Sequence, residues 1–357
     1  MSTEIKIPIK SQIQAKISDN KKTTRKEVIE MLKIGEILRE RYIIEKKLGR
    51  SNYNQIYRAY DNVKSRPVAV KIATPKLDPR RMKIEQMVLT LLRGKNHFVT
   101  LISMGQIHDV PYLVMDLVGR NLADIRGLYP PKQFQPITVY RISMQVISAL
   151  RDMHTAGFLH RNIKPSNICI GRGAQKRVIY LLDHGMARMF TEIDGRIRKP
   201  RDHAGFRGTL RYVSLTVHSR AERTPRDDLI AWFYSMIELI NGKLPWSNLI
   251  AAKDIEEAKR NETFENLCKD QPNISLEFAK YILSLDTTII PNYQELIAIF
   301  KMVKLKDDLP FEWEMHKSNK MKKMIRESAN VIDEKVTMGQ KLTKVRKSKK
   351  EQKVKEK

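Results

Sequence analysis

The stretch His160-Arg161-Asn162-Ile163-Lys164-Pro165-Ser166-Asn167 is followed, sixteen residues after Asn167, by Asp183 within Leu182-Asp183-His184-Gly185. Both fall at or just beyond a loop at 157–182 that two short strands flank. Upstream, Val68-Ala69-Val70-Lys71 sets a lysine in an apolar strand, where an ammonium is costly unless an anion holds it. Glu85, 14 residues on in the next helix, supplies that anion. Taken singly, each motif is weak, since Asp-x-Gly is an ordinary turn and a Lys–Glu pair is often a surface ion pair. Their order along one chain is the stronger signal.

Working outward, the residues before this block read as strands and those after it as helices. Tyr42–Leu48 approaches a strand that ends at Gly49, Gln55–Tyr60 alternates, Pro67–Ile72 forms a third strand, and Tyr112–Leu117 is a fourth. Arg80–Leu92 sets Ile84, Met87, Val88, Leu91 and Leu92 on one helical stripe. Ile137–Thr155 repeats apolar residues at helical spacing, and a long helix over 226–241 stops at Asn241-Gly242. A further helix is expected over Lys26–Glu40. No repeat of 20–50 residues is visible. The resulting expectation is an α+β chain in four zones: residues 1–40 a basic extension, 41–118 a β-rich part, 119–305 a helical part, and 306–357 a flexible basic tail.

Composition narrows the class. Hydrophobic residues make up 41% of the 357, enough for a substantial core. Against 67 Lys+Arg stand 40 Asp+Glu, a formal charge of +27, which favours polyanionic partners. The tail gathers Lys317, Lys320, Lys322, Lys323, Arg326 and further lysines among few apolar anchors. It reads as a solvated segment or as an electrostatic tether for a polyanion. Cys169 and Cys268 are too few for a disulfide framework or a zinc site and read as buried, reduced thiols. Met1–Lys10 shows no secretory signal, and Leu229–Ile240 is too short to span a bilayer. An intracellular place, cytoplasmic or nuclear, is the expectation.

The block at 160–167 resembles the catalytic loop of protein kinases, His-Arg-Asp followed five residues later by Asn, and Leu182–Gly185 resembles their Asp-Phe-Gly motif. Phe206-Arg207-Gly208-Thr209-Leu210-Arg211-Tyr212-Val213-Ser214, His218, Glu222 and Arg226-Asp227-Asp228-Leu229 narrow the resemblance to the casein kinase I superfamily. Gly119–Asp124, Gly205–Thr209 and Gly242–Trp246 are similar to its tau-tubulin kinase branch. The resemblance runs from about Tyr42 to Lys301. It implies a bilobal kinase fold with ATP and Mg2+ between the lobes and a protein serine/threonine substrate. It further implies Lys71 and Glu85 as the phosphate clamp, Asn167 and Asp183 as metal ligands, and Lys164 as the group neutralising phosphoryl charge. Ile56 and Ala69 would face the adenine with Cys169 beneath it. Met115 would be the gatekeeper, Asp116–Val118 (with Leu117 at its centre) the hinge, and Asp124 a neighbour of the ribose. Asp228 would brace the catalytic loop.

Three departures bear on activity. Asn162 stands where an active kinase has the aspartate that accepts the substrate proton, and an amide is no base at neutral pH. Gly49-Arg50-Ser51-Asn52-Tyr53-Asn54 keeps one glycine of Gly-x-Gly-x-x-Gly, although asparagine tolerates positive φ and could still form the turn. His184 replaces a phenylalanine that packs beneath the helix carrying Glu85, so the closed arrangement is expected to be less secure unless a neutral imidazole fills the same slot. Arg196, Arg198, Lys199, Arg201, Arg207 and Arg211 suggest an anion site for acidic or phosphorylated protein. Three functions follow: a kinase-fold ATP-binding domain with impaired or absent phosphotransfer, an active serine/threonine kinase, or a basic polyanion-binding module on a kinase scaffold.

Overall fold

A computed structural model describes residues 30–128, 132–192, 194–286, 289–303 and 309–314. In the N-lobe, β1 (Ile37–Leu38), β2 (Tyr42–Arg50), β3 (Asn54–Asp61), β4 (Arg66–Ala73), β5 (Leu101–Ile107) and β6 (Val110–Asp116) form one antiparallel sheet in the order β1-β2-β3-β4-β6-β5. Alternation in β3 sends Tyr57 and Ala59 into the core, while β4 is buried on both faces from Val68 onward. That double burial explains its continuous apolar run. Strand β5 (Leu-Ile-Ser-Met-Gly-Gln-Ile) escaped the sequence reading because its apolar residues do not alternate strictly.

Helix α1 (Pro79–Leu91) crosses the sheet. Asp78 caps it by accepting the Arg80 N–H, and Pro79 suits the first turn, where no N–H partner is needed. Its buried face is Met82, Glu85, Val88 and Leu89. Met87 and Leu91, expected on the buried stripe, are exposed, because Glu85 must face the sheet to meet Lys71.

The C-lobe is helical. Helices α2 (Leu122–Gly127) and α3 (Pro136–Thr155) lead to the short strands β7 (Phe158–Leu159), β8 (Ile168–Ile170), β9 (Ile179–Leu181) and β10 (Arg188–Met189). Then come α4 (Leu215–His218), α5 (Pro225–Asn241), α6 (Ala252–Asn261), α7 (Phe264–Cys268), α8 (Asn273–Ser284) and α9 (Tyr293–Lys301). Helix α5 is buried nearly all round. It starts in a reciprocal capping box between Thr224 and Asp227 and ends at Gly242 in a left-handed conformation (φ 80°). Trp232, Phe233, Met236 and Ile237 anchor the core there.

Both lobe boundaries lie further out than the sequence suggested. Within the described part of Lys26–Glu40 there is no helix. Residues 30–36 form turns, Leu32 is buried in the N-lobe core, and β1 pairs with β2. Tyr57 O–H donates to Glu30, which ties this segment across the sheet. At the other end, residues 309–314 are docked rather than loose. Phe311 is buried beneath the Arg141 guanidinium and stacks on Trp313, and Glu314 pairs with Lys176 and Arg177. Sequence reasoning weighted the lysines of this tail and overlooked its two aromatic anchors. The lysine-rich remainder, 315–357, lies outside the described residues.

Candidate active site

The lobes enclose a cleft of about 740 Å³. Gly49, Ile56 and Ala69 line it from β2, β3 and β4, Met115 from the end of β6, and Cys169 from β8. Leu117 lies in the crossing segment and Asp124 on α2. Lys71, Glu85, Lys164, Asn167 and Asp183 line the same space. Asn162 lines a smaller cavity of about 210 Å³ that shares Lys71, Glu85, Lys164 and Asp183 with it and reaches beneath Ser51–Asn54. The structure therefore gathers every residue that the sequence nominated for the site.

Lys71 decides the centre. Its Nζ donates to Glu85 Oε1 (2.8 Å) and Oε2 (2.6 Å) and to Asp183 Oδ1 (2.8 Å). Burial alone would lower its ammonium, but Asp183 and Glu85 outweigh that and hold it above the ordinary lysine value. Burial likewise opposes ionisation of Asp183, yet Lys71 pulls its carboxyl below the usual range. The result is one buried ammonium between two carboxylates, an ion-paired bridge between the sheet, α1 and the segment that follows β9.

The loop beneath is braced from α5. Asp228 Oδ2 accepts the His160 N–H (2.7 Å) and Oδ1 accepts the Arg161 N–H (2.8 Å), while His154 Nε2 lies 3.0 Å from Oδ2. This support holds Arg161 at φ 65°, in the left-handed region. Asn167 Nδ2 donates to the Asn162 carbonyl (2.9 Å), leaving the Asn167 amide oxygen as the uncommitted end.

Asn162 itself is engaged at both ends of its amide. Its Oδ1 accepts the Thr209 hydroxyl (3.0 Å), and its Nδ2 donates to Asp183 Oδ2 (3.4 Å). A carboxylate only accepts, so the amide nitrogen must be the end that faces Asp183. Thr209 was not singled out by the sequence as a partner of Asn162. The backbone brings it there, because Gly208 (φ 111°) lets this segment press against Arg161; a Cβ on Gly208 would lie 2.9 Å from the Arg161 carbonyl oxygen and 2.8 Å from Val213 Cγ1.

His184 does not loosen the site. Its ring is 1% exposed, packed 5.6 Å from Phe98 and 5.3 Å, edge to face, from His160. Burial drives its pKa well below the ordinary histidine value, so it is neutral. A neutral imidazole fills the slot, its two buried ring nitrogens without a hydrogen-bond partner among the described residues, and α1 stays close enough for the Lys71–Glu85 pair to form.

Over the phosphate end, the turn Gly49–Asn54 closes without any positive φ in Ser51–Asn54, so the expected help from asparagine conformation is not used. The Ser51 hydroxyl instead accepts the N–H groups of Tyr53 and Asn54, both at 3.1 Å. A Cβ on Gly49 would point into open space.

The basic run from Arg196 to Arg211 is not one cluster. Arg196 pairs with Asp194, Arg198 with Glu192, Arg201 with Glu222 and Arg211 with Glu238. Arg188 also pairs with Glu222, and Arg223 donates to the Arg161 and Arg207 carbonyls. Burial, and then the nearby Arg223 and Arg188, push Arg161 down to about 9. Cys169 and Cys268 are buried free thiols, each pushed up to about 12 by burial. No helix among the described residues is long and apolar enough to cross a membrane.

A protein kinase domain model matches residues 42–335. The chain belongs to the protein kinase family. Within that family it sits with the casein kinase I superfamily. A Caenorhabditis elegans protein described as a casein kinase I is 37% identical over 291 residues, covering 78% of this chain and 85% of its own. A Dictyostelium discoideum protein described as a serine/threonine-protein kinase is 32% identical, covering 79% of this chain and 58% of its own length. Casein kinase I homolog 3 of Schizosaccharomyces pombe is 28% identical, covering 84% and 71%. The kinase match continues past Lys301 and over the docked segment at 309–314. Kinase domains use ATP and Mg2+ in general, and the bilobal arrangement with its Lys71–Glu85 pair is the frame in which they do so.

Proposed function

We propose that this kinase domain binds ATP between its lobes and transfers the γ-phosphoryl group to protein serine or threonine slowly or not at all. The observation that carries this reading is Asn162. It occupies the base position, its oxygen holds Thr209 and its nitrogen faces Asp183, so no basic lone pair is left to take a substrate proton. The intact Lys71–Glu85–Asp183 alignment supports nucleotide binding and leaves room for residual transfer, since the phosphoryl transition state is loose and relies mainly on positioning and charge.

The lining of the cleft supports the following roles on this reading. Ile56, Ala69, Met115, Leu117 and Cys169 offer an apolar slot for a base, Asp124 stands where a ribose would lie, and Lys71 and Lys164 meet the phosphates. Asn167 and Asp183 present amide and carboxylate oxygens, the donor type that suits magnesium and would hold it, although both Asp183 oxygens already accept, from Lys71 and from Asn162. Bound there, the ion would neutralise phosphate charge. Gly49 leaves open space under the turn for a phosphate to approach. The protein substrate is acidic or phosphorylated on this reading, matched to the net positive charge of the chain.

Transfer of radiolabelled phosphate from Mg-ATP to an acidic protein tests the proposal, with Asn162→Asp alongside. Transfer by the variant should exceed that of the natural chain by about 10²-fold or more, the usual worth of a general base. Equal and substantial transfer by both would overturn it.

A further inference from the structure

The groups that would hold a metal are themselves held, and by a residue whose identity sets this chain apart from active kinases. Asp183 has both carboxylate oxygens engaged: Oδ1 accepts from Lys71 Nζ at 2.8 Å, and Oδ2 accepts from Asn162 Nδ2 at 3.4 Å. An aspartate at 162 has no hydrogen to give, and would instead add a second carboxylate beside Asp183, a place that calls for a cation. The amide does the opposite. It puts the positive end of an N–H dipole on the oxygen that a metal would use, and it removes one negative charge from the site.

The rest of the cleft supplies positive charge by other means. Lys46 and Arg50 line it from β2, Lys164 from the catalytic loop, and Arg120 and Arg172 from the segments around β8. None of these five forms an ion pair among the described residues. The cleft's carboxylates are committed elsewhere: Glu85 and Asp183 to Lys71, Asp116 to Arg66, and Asp124 to the Asn121 amide. Unpaired cations facing one concave space raise the local concentration of anions, and most strongly of the most highly charged ones. A triphosphate already complexed with a divalent ion has lost part of the charge that these side chains would neutralise.

We infer that the cleft takes the free nucleotide polyanion, with Asn162 and the unpaired basic side chains doing what the divalent ion does elsewhere, so that nucleotide affinity is nearly independent of magnesium. This rests on the nucleotide-binding reading above and adds to it the charge state of the ligand. It also separates two properties that one substitution has changed together: the lost base slows transfer, and the gained amide donor quiets the metal site.

Calorimetric titration of the purified chain with ATP, in EDTA and in excess magnesium, tests the inference, with thermal shift as a second readout. In the natural chain the two dissociation constants should agree within about threefold. In Asn162→Asp, magnesium should tighten ATP by about tenfold or more, while affinity in EDTA falls. Arg50→Ala combined with Arg172→Ala, both exposed and away from the buried centre, should weaken ATP in EDTA by about tenfold and reduce the salt dependence of binding. Tightening by about tenfold or more with magnesium in the natural chain would overturn the inference. So would a folded Asn162→Asp variant that stays indifferent to the ion. If ATP binds in neither condition, the nucleotide reading itself has failed and this inference goes with it. Binding that requires magnesium sinks the inference alone.

Discussion

The loop His160–Asn167 and the turn Gly49–Asn54 close the same end of the cleft from opposite lobes, and each departs from the family pattern. The loop is held from below. Two backbone N–H groups end on the buried Asp228, Gly208 lets the Thr209 segment pack against it, and Asn162 is pinned at both ends. The turn is held by fewer and more exposed contacts: the Ser51 hydroxyl, a Ser51 N–H to Asn54 carbonyl bond of 2.8 Å, Thr74 reaching Asn52 and Tyr53, and the Arg81 guanidinium over the Tyr53 ring. A change in the loop alters chemistry while the geometry persists, because the core over-determines it. A change in the turn alters how closely backbone can approach a ligand and costs the fold little. The contrast teaches that a departure from a motif must be weighed by what supports the position, not by the residue alone.

Substitutions of matched type on the two walls would break this contrast or sharpen it. Asp228→Ala should be the most damaging, since it strands two buried N–H groups and His154; a loss of about 3 kcal/mol or more is expected in denaturant unfolding. Gly208→Ala should follow, at about 1–3 kcal/mol, because the added methyl meets Val213 and the Arg161 carbonyl in a backbone conformation that alanine disfavours. Gly49→Ala, in open space, should shift stability by less than about 0.5 kcal/mol while weakening ATP binding. Equal destabilisation by the two glycine variants would remove the distinction between the walls. Ser51→Ala should cost about 0.5–1 kcal/mol, through loss of its two local hydrogen bonds.

A pH dependence is expected in the N-lobe. Hydrogen bonds from Arg41 lower the Asp61 carboxyl from 3.8 to about 2. A carboxyl whose pKa is lower in the folded chain stabilises it above the unfolded value, and that contribution fades as pH falls through the folded value. Melting temperature should therefore decline between pH 3.8 and about 2, and Asp61→Asn should flatten that slope. An unchanged slope would show that Arg41–Asp61 does not contribute.

Legibility followed the strength of local pattern. Lys71 and Glu85 were readable because an ammonium in an apolar strand demands an anion, and Asn167 and Asp183 because their motifs resemble those of kinases. The long helix over 225–241 was readable from its apolar run and its Asn241-Gly242 stop. Strand β5 was not, for want of alternation, nor was the docking of Phe311 and Trp313, because two aromatics in a lysine-rich stretch carry no period. The buried stripe of α1 was misplaced because periodicity favours Met87 and Leu91, whereas the helix turns to offer Glu85.

By itself the sequence determined the order of motifs through residue type and spacing; the two-lobed class, the residues that line the cleft and the loss of the base at 162 are what the kinase resemblance of those motifs implies. Tertiary structure alone decided that His184 fits its slot, that Ser51 rebuilds the turn, and that Asn162 spans from Thr209 to Asp183. Those outcomes depend on distances between segments remote in the chain, 47 residues apart for Thr209 and 21 for Asp183, and on the burial that makes each hydrogen bond count.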